Sequence, residues 1–145
     1  MKTLVVYDSA YGNTEKIARS IGTALSGEVS IRRVGEVETA DVQSVDLLIV
    51  GSPTQGGRPT KPVQDFLKAL ERPVRAAAFD TRARIRWATI FGYAGPRIAS
   101  ALQQKGMTLV APAEAFYVRG KEGPLEEGEE ARAAAWAGTV QGSKL

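Results

Sequence analysis

Short apolar runs alternate along this chain with glycine-bearing loops and with segments whose apolar residues recur at helical spacing. Leu4-Val5-Val6-Tyr7 is β-branched-rich and nearly continuous, the pattern of a strand covered on both faces. Past Asn13 the period changes. Ile17, Ile21 and Leu25 recur at i, i+4 and i+8, with Ala18 and Ala24 beside them, which predicts a helix that Gly27 closes. Residues 29–34 are half apolar and half charged, as expected of a strand at a sheet edge, and the acidic, weakly periodic stretch 36–45 predicts a short helix. Asp46-Leu47-Leu48-Ile49-Val50 is the second buried strand, and residues 51–60 form a long glycine-rich loop behind it. Thr60 can cap the next helix, Pro62 falls in its first turn, and Val63, Phe66, Leu67 and Leu70 make its apolar face.

The second half repeats the scheme. Residues 72–84 read as a connection carrying Ala76-Ala77-Ala78-Phe79-Asp80-Thr81-Arg82, and Arg86-Trp87-Ala88-Thr89-Ile90-Phe91 as a third buried strand. It stops at Gly92-Tyr93-Ala94-Gly95, where Pro96 marks a helix start, Ile98 and Leu102 share a face and Gly106 ends the helix. Residues 107–110 and 114–118 read as one last strand interrupted at Pro112, which suits an edge. Gly123-Pro124-Leu125 then opens a terminal helix. Glu126, Glu127, Glu129 and Glu130 crowd its first turn, where carboxylates meet the positive dipole end, and Ala131, Ala134, Ala135 and Trp136 give it a packing face.

Such alternation predicts an α/β domain, a doubly wound parallel sheet with helices on both faces, whose ligands bind beyond the carboxyl ends of the strands. Three loops lie there: residues 8–14, 51–60 and 92–95. The first runs directly into a helix N-terminus. Its free N–H groups and the helix dipole favour an anion, Gly12 lets that anion approach the backbone, and Ser9 and Thr14 add hydroxyls. An ordinary turn with Asn13 or Thr14 as N-cap would use the same residues, and this stretch by itself supports both readings.

Composition narrows the chemistry. The 145 residues, 43% hydrophobic and 24% charged, fit a single globular domain spanning 1–145. With no Cys and no His there is no disulfide, no thiolate or imidazole metal ligand and no His-based triad. The net charge of +3 is unevenly spread: Arg58, Lys61, Lys68, Arg72, Arg75, Arg82, Arg84 and Arg86 make the middle basic, while Glu122, Glu126, Glu127, Glu129 and Glu130 make the end acidic. Aromatics are 7% and no reading motif accompanies the basic residues, so no nucleic-acid partner is expected. No apolar run has membrane-spanning length and no secretory h-region is present, so the expectation is a cytoplasmic protein without a membrane partner.

The dinucleotide fingerprint GxGxxG and the phosphate loop GxxxxGK[ST] are both absent. Asp8 ends the first strand as a metal carboxylate does in response-regulator phosphoacceptor domains, but Val50-Gly51 offers no phosphorylatable Asp, and Asp8 reads as structural. What Ser9-Ala10-Tyr11-Gly12-Asn13-Thr14 resembles is the phosphate loop of the flavodoxin family. Gly51-Ser52-Pro53-Thr54, Phe79-Asp80-Thr81-Arg82, Phe116-Tyr117-Val118 and Gly123-Pro124-Leu125 extend the resemblance to a short-chain flavodoxin over nearly the whole sequence.

The resemblance implies a flavodoxin-like five-stranded sheet of order 2-1-3-4-5 and an FMN cofactor cycling between oxidised, semiquinone and hydroquinone states. Ser9, Ala10, Tyr11, Gly12, Asn13 and Thr14 would hold its phosphate; Pro53, Thr54, Gln55, Gly56 and Gly57, with Gly92, Tyr93, Ala94 and Gly95, would grip the isoalloxazine ring. Tyr93 would stack on that ring, and a carbonyl of Gln55-Gly56-Gly57 would face its N5. Ala10 and Tyr11 replace hydroxyl residues common in the family, Gln55 stands where a tryptophan is common, and Arg58 adjoins a ring loop that is usually acidic. Weaker stacking and this cation would ease reduction of the flavin. The implied role is a monomeric electron carrier whose redox partner proteins dock at the flavin edge, with no catalytic residue and no metal. The alternative is an FMN-dependent oxidoreductase such as an NAD(P)H:quinone reductase or a protoporphyrinogen oxidase-like enzyme.

Overall fold

The first apolar run becomes strand β1, Lys2–Tyr7, buried from Thr3 onward. The structure, a computed structural model, describes residues 1–84 and 92–142, the Thr39 side chain excepted. Helix α1, Asn13–Ala24, follows and buries Ile17, Ala18 and Ile21. Strand β2, Glu28–Arg33, takes the sheet edge that its mixed pattern predicts. A turn of 3-10 helix at Val34–Glu36 and helix α2, Thr39–Gln43, fill the weakly periodic stretch. Strand β3, Leu47–Pro53, is buried through Ser52, and helix α3, Lys61–Ala69, buries Val63 and Leu67. Because β3 continues past Val50, Gly51-Ser52-Pro53 belong to the sheet and the loop begins later than expected. Gly51 is needed there for space: a Cβ would come within 2.0 Å of the Phe79 ring.

Strand β4 is Arg75–Ala83, the segment read from sequence as a connection. The expected strand at 86–91 lies outside the described residues. β3 pairs in parallel with β4 along the whole length of β3, Leu47 opposite Arg75 to Pro53 opposite Thr81. Ala76, Ala77, Ala78 and Phe79 are fully buried there, and the three alanines are small enough to let helices close on both faces. Helix α4, Ala94–Gln104, buries Ile98 and Leu102. Strands β5, Thr108–Leu109, and β6, Glu114–Val118, then line the same edge of β4 in succession, opposite Arg75–Ala76 and Phe79–Ala83. They are the two halves of one strand broken around Pro112, as expected. The sheet is entirely parallel with order β2-β1-β3-β4-β5 and β6 beside β4.

Helix α5, Glu129–Gln141, starts later than expected. The chain from Gly123 to Glu126 folds back instead: Leu125 bridges Val118, and the Glu126 N–H donates to the Tyr117 carbonyl at 2.9 Å. Only Glu129 and Glu130 therefore occupy the first helical turn. Alternating strand residues separate two cores. Leu4, Val6, Leu48, Val50, Ala76 and Ala78 meet Val63, Leu67, Ile98 and Leu102 of α3 and α4. Val5, Tyr7, Ile49, Ala77 and Phe79 meet Ile17, Ile21, Ala133 and Trp136 of α1 and α5. Phe79, Phe116 and Trp136 pack edge to face, each pair with centroids 6.1 Å apart.

Candidate functional site

The β1–α1 loop is built as an anion cradle. Gly12 sits at φ +91°, a left-handed conformation costly for any residue with a Cβ, and its N-cap position offers no side chain to the helix. Ser9 supplies the internal support: its Oγ accepts from the Gly12 and Glu15 N–H groups at 3.0 and 3.4 Å. The N–H groups of Ala10, Tyr11, Asn13 and Thr14 take no acceptor among the described residues. A helix N-terminus left in this state is a donor set for an anion.

Neighbouring carboxylates do not oppose that charge. Asp8 accepts from the Ser9 N–H at 2.8 Å, from Thr60 Oγ1 at 2.6 Å and from Arg33 at 3.3 Å, so it ties β1, β2 and the start of α3 together. Thr60 thus sits at the N-cap of α3 but spends its hydroxyl on Asp8 instead of the helix. Glu15 pairs with Arg19 at 2.9 Å and with Arg33 at 3.6 Å, and the Arg19 hydrogen bonds hold its carboxyl below the usual range. Burial, then Glu15, push the Tyr7 hydroxyl up.

A cleft of about 400 Å³ opens beside the cradle at the carboxyl ends of β3 and β4. Nine residues singled out from sequence line it: Tyr11, Asn13, Thr14, Pro53, Thr54, Gly56, Gly57, Gly92 and Tyr93. Ala10 and Gln55 line an adjoining hollow with Tyr11, Pro53, Thr54 and Gly56. Ser9 and Gly12 shape the loop without lining the cleft. Ala94 and Gly95 do not face it either. They form the first turn of α4, and their N–H groups are already bonded to Thr54 Oγ1 at 3.0 Å and to Asp80 Oδ2 at 2.6 Å.

The loop at 55–58 is a tight hairpin. Gln55 and Arg58 exchange both backbone hydrogen bonds, at 2.8 and 3.0 Å, around Gly56 and Gly57 at φ +57° and +78°. Positive φ at both central residues is the type I′ geometry, which glycine allows without strain. Arg58 is exposed and turned into a separate hollow between α3 and α4, so the cation expected beside the ring loop does not line the cleft.

Thr81, Arg82, Ala83, Val118 and Lys121 complete the wall and were not singled out as site residues. Thr81 Oγ1 meets Thr14 Oγ1 at 2.7 Å, locking β4 to the cradle. Lys121 comes from the loop after β6, which Asn13 holds by donating from Nδ2 to the Glu122 carbonyl at 3.1 Å. Arg82 and Lys121 are the charged residues lining the cleft, both cationic; no carboxylate lines it among the described residues. A sequence signal for Arg82 did exist: Asp80 and Arg82 at i and i+2 are same-face neighbours on a strand.

The flavodoxin domain family model matches residues 4–121, and the chain belongs to that family, whose fold serves flavin binding and electron transfer. A stretch of 60 residues, 39% of this chain, is 43% identical to a flavodoxin of Aquifex aeolicus. The chain spans 32% or less of the length of the curated relatives it matches. Among solved structures, a flavodoxin from the domain Archaea superimposes with a TM-score of 0.80 at 21% identity, covering 97% of this chain and 96% of that one. Rubredoxin oxygen:oxidoreductase from Desulfovibrio gigas matches with a TM-score of 0.77 at 18% identity, over 97% of this chain and 35% of that one. These structural likenesses establish the fold. Among the described residues, no helix is long and apolar enough to cross a membrane.

Proposed function

We propose that the cleft binds FMN and that the chain serves as an electron carrier. The observation that carries this reading is the cradle: N–H groups at the α1 N-terminus that take no acceptor among the described residues, opening onto a cleft with a glycine hairpin on one side and Tyr93 on another. The donor set suits a phosphate, and the cleft beside it combines small and apolar walls, Pro53, Gly56, Gly57, Ala83 and Val118, with the Tyr93 ring, which suits a flat heteroaromatic group. In this reading Ser9 fixes the loop, the Ala10, Tyr11, Asn13 and Thr14 amides and the Thr14 hydroxyl receive the phosphate, and Lys121 adds a cation on the same side. Pro53, Thr54, Gly56, Gly57, Gly92 and Tyr93 bound the ring. Bound FMN supplies one- and two-electron chemistry.

The peptide between Gly56 and Gly57 is free to present its carbonyl or its N–H to the ring edge, since the hairpin is closed by Gln55 and Arg58 alone. Among the described residues no carboxylate lines the cleft, and in a chain without His or Cys this supports a carrier over a proton-transferring enzyme. Partner proteins would dock at the cleft mouth, where Tyr11 is 50% exposed.

The test is the visible spectrum of the purified protein titrated with FMN and with riboflavin. A flavin spectrum with at least tenfold preference for FMN is expected. A colourless protein that takes up neither, or one that binds riboflavin equally well, overturns the reading.

A further inference from the structure

Asp80 is fully buried, yet both its oxygens are satisfied. Arg82 donates from Nε to Oδ1 at 2.9 Å and from Nη2 to Oδ2 at 2.7 Å, a two-pronged clamp, and the Gly95 N–H donates to Oδ2 at 2.6 Å. A Cβ at Gly95 would come within 2.8 Å of that oxygen, so glycine is what lets helix α4 sit on the carboxylate. The Arg82 side chain, 15% exposed, extends from this anchor to the cleft, and its guanidinium lies 3.5 Å from the centroid of the Tyr93 ring. One carboxylate thus fixes the start of α4, the orientation of Arg82 and, through the cation, one face of Tyr93. Asp80 itself does not line the cleft, whereas Arg82 does. The pair therefore turns its positive end toward whatever the cleft holds.

We infer that Arg82 sets the redox preference of this site. Resting on the FMN reading above, the inference is that Arg82 holds Tyr93 as a fixed wall and presents a permanent positive charge to the flavin. Reduction adds negative charge to the bound group wherever a proton does not follow the electron, and a cation in a poorly solvated wall favours that form. The role expected of Arg58 falls to Arg82. Tyr93 can offer a ligand only its other face or its edge, because Arg82 covers one side.

The experiment is stepwise reduction of the FMN-loaded protein by dithionite against a reference dye, with the dissociation constant for oxidised FMN measured alongside. Arg82→Gln is expected to bind oxidised FMN within a few-fold of wild type. It should lose about tenfold in preference for the reduced form, equivalent to ~30 mV on the two-electron couple. Arg82→Lys keeps the charge and loses the planar stack, so its midpoint should stay near wild type while the visible circular dichroism of the flavin changes. If Arg82→Gln fails to fold with Asp80 left unpaired, the neutral pair Asp80→Asn with Arg82→Gln replaces it and should shift the midpoint in the same direction by less. A merely structural role would weaken oxidised and reduced binding equally and leave the midpoint in place. That result, or a midpoint in Arg82→Lys that falls as far as in Arg82→Gln, overturns the inference alone. Failure of the wild-type chain to take up FMN overturns it together with the function proposed above.

Discussion

At the scale of single residues, the cradle depends on what is absent as much as on what is present. Gly12 carries no Cβ at φ +91°, and Ala in that place should cost about 1–2 kcal/mol of stability, read as a lower urea midpoint with unchanged slope. Ser9 acts by accepting. Its Oγ occupies the Gly12 and Glu15 N–H groups and so leaves the others aimed outward. Ser9→Ala should lower affinity for FMN roughly tenfold, the effect of losing about 1.4 kcal/mol of loop support when the two backbone N–H groups lose their acceptor, and affinity for riboflavin much less. Fluorescence titration with the two flavins separates these outcomes; equal losses would mean that Ser9 supports the cleft and not a phosphate. The loop residues were legible in the sequence because Gly-Asn-Thr at a strand-to-helix junction is a local pattern. Arg82 was legible only once Arg75–Ala83 is known to be a strand, which puts Asp80 and Arg82 on one face, and its contact with the Tyr93 ring depends on a different loop.

At the scale of elements, the edge of the sheet shows how sequence and structure diverge. Strand β6 leaves polar backbone groups facing outward, and α5 covers them with side chains. Glu129 accepts from the Tyr117 N–H at 2.8 Å, Arg132 donates to the Ala115 carbonyl, and Glu129 and Arg132 pair at 2.7 Å. The Arg132 hydrogen bond to Glu129, opposed in part by burial, holds the Glu129 carboxyl below its ordinary value. Its contribution to stability is then complete above that ordinary value, near pH 4.3, and is lost as pH falls from there through the folded-state value. Glu129→Ala should cost about 2 kcal/mol at pH 7. Urea midpoints compared at pH 7 and pH 3.5 should fall less in Glu129→Gln than in wild type. The start of α5 was misread for the same local reason that makes this edge work: Glu126 and Glu127 look like a helix first turn, yet the chain is held back on Val118 and Tyr117 by long-range pairing. Strand β4 was hidden likewise. Three alanines and Asp80 have low strand propensity, and burial under two helix layers with the internal Asp80–Arg82 pair makes the segment a central strand.

At the scale of the whole molecule, the alternation of periods was enough to indicate a parallel sheet covered by helices on both faces and the end at which the loops gather, though not the place of β4, because the class follows from burial on both faces and right-handed crossovers. The aromatic cluster joins the last strand and last helix to that frame, and Phe79→Ala should cost about 3–5 kcal/mol by calorimetry or denaturant unfolding. Charge is a global property as well. The chain carries a net +3, and among the described residues Arg82 and Lys121 are the charged ones that line the cleft. A field of that sign should draw anions to the mouth and repel cations over roughly a Debye length, about 30 Å at 0.01 M salt and 10 Å at 0.1 M. With FMN bound and reduced, oxidation by ferricyanide should therefore slow as salt rises across that range, and oxidation by hexaammineruthenium(III) should quicken. Stopped-flow decay of the reduced flavin measures both rates. Charge reversal at the mouth by Lys121→Glu, read on protein kept loaded by excess FMN, should flatten both dependences. Salt dependences of the opposite sign would mean that the Glu122, Glu126 and Glu127 carboxylates, not the cleft wall, govern the approach, and that the docking partner carries positive charge.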